Sequence, residues 1–163
     1  FALNSTMRIT LLQTGKTDAS WLKTGTGEYN VRLSHYIRFD VADIVQPKNF
    51  RQLSPKQLND AEGRLMLRHF GSADQVVLLD ERGKTHTSEE FAFRIQKIMN
   101  AGTRHLMFVI GGAYGFSDEV YAAANARVSL SSMTFSHQMV RLFFTEQLYR
   151  AFTILKNEPY HNS

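Results

Sequence analysis

Two stretches leave this chain few folds to choose from. Val76-Val77-Leu78-Leu79 in "QVVLLDERG" and Leu106-Met107-Phe108-Val109-Ile110 in "HLMFVIGGAYG" are apolar at every position. Successive strand residues point to opposite faces, so a strand apolar throughout needs cover on both. Between the two runs lies a helical pattern. Thr87 and Glu90 have the spacing of a capping box, Phe91, Ile95 and Ile98 follow at i, i+4 and i+7, and Gly102 is a stop. Doubly buried strands joined by a helix predict an α/β fold with a mainly parallel sheet.

The rest of the chain keeps the same alternation. "MRITLLQ", 7–13, reads as a strand. Residues 18–33 carry Trp21, Leu22, Tyr29 and Leu33 at roughly helical spacing. "IRFDVADIV", 37–45, alternates as a half-buried strand with an irregularity near Ala42-Asp43. Ser54-Pro55 opens a helix that runs to about Phe70, with Gly71 as its stop. A helix from 118 to 125, a short strand "RVSLS" and a long helix from 138 to 156 complete five strand–helix alternations, with no repeat or linker. We read residues 7–163 as a single domain. Residues 1–6, "FALNST", precede Met7 and read as a cloning remnant.

Composition excludes several classes. Cysteine is absent, which removes disulfides, zinc–cysteine sites and cysteine-held clusters, and the histidines lack ligand spacing. No apolar run is long enough for a membrane span and no secretory core is present, which points to a cytoplasmic protein. The net charge of +4 suits a polyanionic partner, or simply a surplus of surface lysines.

In parallel α/β folds, ligands bind beyond the carboxyl ends of the strands. Asp80-Glu81-Arg82-Gly83, Gly111–Gly115 and Ser131–Gln138 all fall there. Gly111-Gly112 either makes a tight turn or lets a nucleotide-like ligand reach the backbone. The loop is neither the dinucleotide pattern nor a phosphate loop with its Lys-Ser/Thr. The long helix is apolar nearly all round, through Val140, Leu142, Phe143, Phe144, Leu148, Phe152, Ile154 and Leu155. It is either a subunit interface or a central core helix. Arg141 and Arg150 are nine residues apart and point to opposite sides of that helix; Glu146 and Arg150 can pair at i, i+4. His137 begins the helix, where it reads as a cap and, with Arg141 and Arg150, as a candidate RNA contact. The tail "NEPYHNS" is too polar to matter for a core, and Pro159 ends any helix.

Taken together, "LLDERGK", "FVIGGAYG", "LSSMTFSHQMVR", "EQLYRAFTI" and "PYH" resemble the ribosomal RNA large-subunit methyltransferase H family. These are SPOUT-class enzymes that methylate N3 of a pseudouridine in large-subunit rRNA. The resemblance runs from Met7 to the C-terminus. It implies an α/β fold with a C-terminal trefoil knot, a homodimer, and S-adenosyl-L-methionine bound in the knot. The cofactor positions it implies are Leu79, Gly111, Leu130, Ser131, Ser132, Met133, Thr134 and Phe135. It implies Tyr160 and His161 folded over the reacting methyl. In that setting His161 is a candidate base, Arg150 a stabiliser of developing charge on the substrate carbonyls, and Tyr160 a stacking platform for the substrate base. Ser132 and Ser136 stand where family members often carry Lys and Pro. Ser136 gives up the φ restriction of proline. No metal is implied. The rival readings are a non-catalytic RNA- or ribosome-binding module with the same fold, and a different nucleotide-using α/β enzyme.

Overall fold

The computed structural model describes residues 6–162; residues 1–5 of the segment read as a remnant, and Ser163, lie outside them. Five strands and five helices alternate: β1 (Arg8–Thr14), α1 (Ser20–Ser34), β2 (Arg38–Ile44), α2 (Pro55–Phe70), β3 (Gln75–Thr85), α3 (Ser88–Asn100), β4 (His105–Ile110), α4 (Asp118–Ala123), β5 (Ala126–Ser129) and α5 (His137–Leu155). The sheet order is β2-β1-β4-β3-β5, and every pairing is parallel.

The two apolar runs form adjacent central strands, and residues along them alternate between two separate cores. Val77, Leu79, Leu106, Phe108 and Ile110 pack with Leu33 of α1, Ile95 of α3 and Phe144, Leu148 and Phe152 of α5. Val76, Leu78, Met107 and Val109 pack with Met66 and Phe70 of α2 and Val120 of α4. Phe108 meets Phe144 with ring centroids 4.7 Å apart, which fixes α5 over the middle of the sheet. Every residue of β4 is buried. α5 is therefore a core helix flanked by α1 and α3, which accounts for its nearly continuous apolar surface.

Local chemistry sets the element ends. Capping boxes start α2 at Ser54 with Gln57 and α3 at Thr87 with Glu90. Ser136, not His137, caps α5: its Oγ accepts from the Met139 N–H at 3.3 Å. A proline there would have no such oxygen, so the serine offers a different way to start the helix. α5 ends before Pro159 is reached. Asn157 takes a left-handed φ of 54°, with Asn157 N–H donating to Ile154 O at 3.1 Å and Glu158 N–H to Thr153 O at 2.9 Å. That is a Schellman closure.

Two expectations need correction, at β2 and at α4. β2 pairs with β1 in unbroken register, so there is no irregularity at Ala42-Asp43. Gly71 does stop α2, as expected, though with an ordinary right-handed φ of −62°. A 3-10 turn at Lys48–Gln52, led in by Pro47, was not anticipated. α4 stops at Ala123 because Asn125 is recruited by β3: its N–H donates to Val76 O, and its side chain accepts from Val76 N–H, at 2.9 and 2.8 Å.

Candidate functional site

The carboxyl ends of β3, β4 and β5 open onto one cavity of about 870 Å3. Three segments build it. The first is a bulge in β3. Leu79 and Lys84 both register with Val128 of β5, so Asp80–Gly83 loop out of the ladder. Gly83 lies over the β5 backbone, where an added Cβ would stand 2.7 Å from the Val128 nitrogen. The bulge carries Asp80, Glu81 and Arg82 to the cavity wall.

The second segment is the glycine loop after β4. Gly112 and Gly115 form an antiparallel bridge, and Gly115 has a φ of +80°. A Cβ on Gly111 would lie 2.9 Å from Gly115 O and 3.2 Å from the Phe116 ring. Gly111 is therefore bare because the loop closes on itself, whatever ligand the loop faces. Asn59 of α2 donates to the Tyr114 and Phe116 carbonyls at 3.1 and 3.3 Å, tying the loop to the helix beneath.

The third segment is Leu130–Ser136. Ser131 Oγ accepts from the Met133 N–H at 3.0 Å, and Thr134 Oγ1 donates to Glu81 Oε2 at 3.1 Å, linking this loop to the β3 bulge. Asp80 accepts from the Tyr121 hydroxyl at 2.6 Å, and the Arg127 guanidinium sits 4.0 Å over the Tyr121 ring. Burial, with the Asp80 carboxylate, pushes the Tyr121 phenol up to about 12, so it stays neutral and keeps donating to Asp80.

Of the expected cofactor positions, Leu79, Gly111, Leu130, Ser131, Met133, Thr134 and Phe135 line this cavity, while Ser132 is exposed beside it. His137 lines it too; burial, and then Arg141, hold its imidazole below its usual range and so uncharged at neutral pH. The sequence reading missed Asn59, Asp118 and Tyr121, which also line it. Their one signal was position: Asp118 follows the N-cap Ser117, just past the glycine loop.

Arg141 needs correction as an RNA contact. It is 1% exposed and faces inward. Its guanidinium donates to Thr14 O at 2.7 Å, to Gly15 O at 3.1 Å and to Thr17 Oγ1 at 3.1 Å. It lashes the start of α5 to the end of β1. We expect Arg141→Met to cost about 2–4 kcal/mol in urea unfolding, because buried carbonyls lose their donor. The salt dependence of RNA binding should stay unchanged, since no phosphate contact is lost.

Arg150, Tyr160 and His161 form a second cluster, away from the cavity. From His137 to Arg150, α5 rises about 20 Å. Glu146 Oε1 accepts from Arg150 Nη2 at 2.5 Å and from the Tyr160 hydroxyl at 3.0 Å. The Tyr160 ring sits 4.7 Å from that of Tyr149, and its hydroxyl is 3.2 Å from that of Tyr29. Arg150 Nη1 lies 3.1 Å from His161 Nδ1, and His161 Nε2 lies 2.8 Å from Glu89 Oε1. Arg150 can only donate, so Nδ1 accepts and Nε2 carries the proton to Glu89. The same bond from His161 holds the Glu89 carboxyl below its usual range. Burial, then the bonds to Tyr29 and Glu146, push the Tyr160 phenol up, which rules it out as a base near neutrality. The tail contributes no residue to either core, as its polarity suggests, but it is docked on α5 by this network.

The sequence matches the model of the predicted SPOUT methyltransferase family over residues 7–161. The chain belongs to the SPOUT methyltransferase family. A protein of Flavobacterium psychrophilum named ribosomal RNA large subunit methyltransferase H is 55% identical over 156 residues, covering 96% of this chain and 99% of that one. One of the same name from Christiangramia forsetii is 56% identical with the same coverage. The resemblance read from the motifs therefore holds over essentially the full length. Among solved structures, a probable methylase family protein of Haemophilus influenzae aligns with a TM-score of 0.52 at 13% identity, covering 98% of this chain and 71% of that one. A tRNA (m1G37) methyltransferase of Aquifex aeolicus aligns with a TM-score of 0.52 at 13% identity, covering 96% and 75%. These two share this chain's fold.

Proposed function

We propose that the chain is an S-adenosylmethionine-dependent methyltransferase acting on N3 of a pseudouridine in large-subunit rRNA. It works as a cytoplasmic homodimer with a C-terminal trefoil knot, on assembled ribosomal particles. The observation that carries this reading is the coincidence of the cavity with seven of the eight cofactor positions implied by the family resemblance. The walls suit a sulfonium nucleoside. Leu79, Ile110 and Leu130 offer apolar surface, Asp80 and Glu81 offer carboxylates for hydroxyls or cationic groups, and the glycine loop gives close access to backbone. When bound, the cofactor supplies an electrophilic methyl group.

The chain's own residues then have to align the nucleophile and handle one proton. Within one chain the tail cluster stands far from the cavity. A symmetric dimer that sets one copy's tail over the other's cavity would join them. Tyr160 then stacks the substrate base, and Arg150 stabilises negative charge developing on its carbonyls. His161 accepts the N3 proton only after Arg150 releases Nδ1, so substrate arrival must open that bond.

The exposed apolar side chains at the cavity mouth support the dimer. Phe143 is 38% exposed and packs on Phe135 at 4.9 Å, while Met133 is 73% exposed. Phe143→Glu is expected to weaken self-association about tenfold or more in sedimentation, with the fold intact. Phe144, 0% exposed, is unsuitable for this test because a charge there would unfold the core.

Calorimetry with S-adenosylmethionine tests the catalytic reading: a non-catalytic RNA-binding module would not bind it. Methyl transfer measured on free rRNA, isolated large subunits and whole ribosomes then identifies the substrate. A domain this small has little surface for reading sequence, so we expect transfer only on an assembled particle.

A further inference from the structure

Behind the cavity wall lies a carboxylate that the mechanism above does not use. Glu62 of α2 is 3% exposed. One of its oxygens accepts from the Gln46 amide, and an added Cβ on Gly112 would come 2.6 Å from its Oε2 and 2.9 Å from its Oε1. The carboxylate is thus pressed flat against the backbone of a residue that lines the cavity. It leaves no room for a side chain at Gly112.

The neighbours on α2 make this contact a built one. Asn59, one turn earlier, holds the Tyr114 and Phe116 carbonyls. Gly63, the next residue, fits under Ser117, where a Cβ would stand 2.3 Å from the hydroxyl oxygen. Together Asn59, Glu62 and Gly63 form the floor on which the whole glycine loop rests.

Among the described residues, no cation pairs with Glu62, and its neighbour Asp60 pairs instead with Lys56. Gln46, on the segment after β2, is neutral, and the glycine loop presents only backbone. The polar group that meets its carboxyl is the Gln46 amide. Burial pushes its carboxyl up to about 7, opposed by the bond from Gln46. A carboxylate this costly to bury invites a reason.

We propose that Glu62 is a positioning residue of the cofactor site, an uncompensated carboxylate that acts through Gly112 to favour a positively charged ligand over its neutral counterpart. It rests on the methyltransferase reading. There the ligand before reaction carries a sulfonium, and the product left after methyl loss is a neutral thioether. A negative charge one residue behind the wall attracts the first and is indifferent to the second. The attraction exists only while Glu62 is ionised, and cationic ligand binding drives its proton off.

The test is calorimetry on the full chain and on E62Q, with S-adenosylmethionine and S-adenosylhomocysteine, between pH 5.5 and 7. Preference for the sulfonium ligand should rise with pH in the parent, reaching about tenfold in affinity ratio. In E62Q, which keeps the side chain's shape, the ratio should stay flat at the parent's low-pH level. A merely structural role would move both affinities together. Should E62Q not fold, proton release is measured on the parent and on H137Q, which removes the imidazole in the cavity wall: at pH 6.5, in two buffers of different ionisation enthalpy, the sulfonium ligand should release more protons than the thioether in both. Equal release in either, or an affinity ratio independent of pH in the parent, overturns the proposal and leaves the methyltransferase reading intact. If neither ligand binds the parent, the methyltransferase reading falls and takes this proposal with it.

Discussion

Gly111→Val will abolish S-adenosylmethionine binding while leaving the sheet intact. The branched side chain enters a space where even a lone Cβ meets Gly115 O at 2.9 Å and the Phe116 ring at 3.2 Å. The loop must then open its Gly112–Gly115 bridge and release the carbonyls held by Asn59. Overpacking of this kind costs about 1–3 kcal/mol, which a domain with two cores can absorb. The loop's position cannot survive it. Calorimetry should show affinity reduced by about a hundredfold or more, with the circular dichroism spectrum retained. Because the clash is with the loop itself, Gly111→Ala should already weaken binding. Parent-like affinity in both variants would mean that the glycine loop does not hold the cofactor.

The same loop illustrates what the sequence could and could not reveal. Val76–Leu79 and Leu106–Ile110 announced the central strands because two-sided burial leaves no polar position to interrupt the run. Ser54 and Thr87 announced their helices because capping chemistry is local and needs only residues three apart. Gly111 and Gly112 announced a close approach but not to what. Gly111 is bare for Gly115 and Gly112 is bare for Glu62, and those partners are set by tertiary packing. Arg141 was misread for a related reason. Its position on α5 gives its direction, but only the β1 carbonyls it faces show that the direction is inward. Asp80 and Glu81 could be placed past β3, but not the bulge that aims them, because the shift of register belongs to β5 as much as to β3. The motifs read jointly reached further, since seven of the eight cofactor positions they implied meet at one cavity.

Removing residues 159–163 will abolish methyl transfer to ribosomes while leaving cofactor affinity nearly unchanged. None of the cavity-lining residues belongs to the tail, so calorimetry with S-adenosylmethionine should match the parent. Stability will fall slightly. Tyr160 gives up its ring contact with Tyr149 and its bond to Glu146, a loss of about 1–2 kcal/mol. The Glu146–Arg150 pair lies on α5 and persists. His161→Ala isolates the chemistry from the packing. Among the described residues His161 bonds to Arg150 and Glu89, and Glu89 is on the surface, so little stability is at stake. If His161 takes the N3 proton, kcat should drop about a hundredfold or more while ribosome affinity holds, as expected for a group that acts in the transition state. The variant also frees Arg150 Nη1, so a partial effect on turnover would assign the larger role to Arg150. Arg150→Lys separates the two: it keeps the charge but loses the planar fork that grips Glu146 and His161 together. Parent-rate methylation by the truncated chain would show that the tail only packs, and would leave Arg150 as the leading candidate for stabilising the substrate's charge.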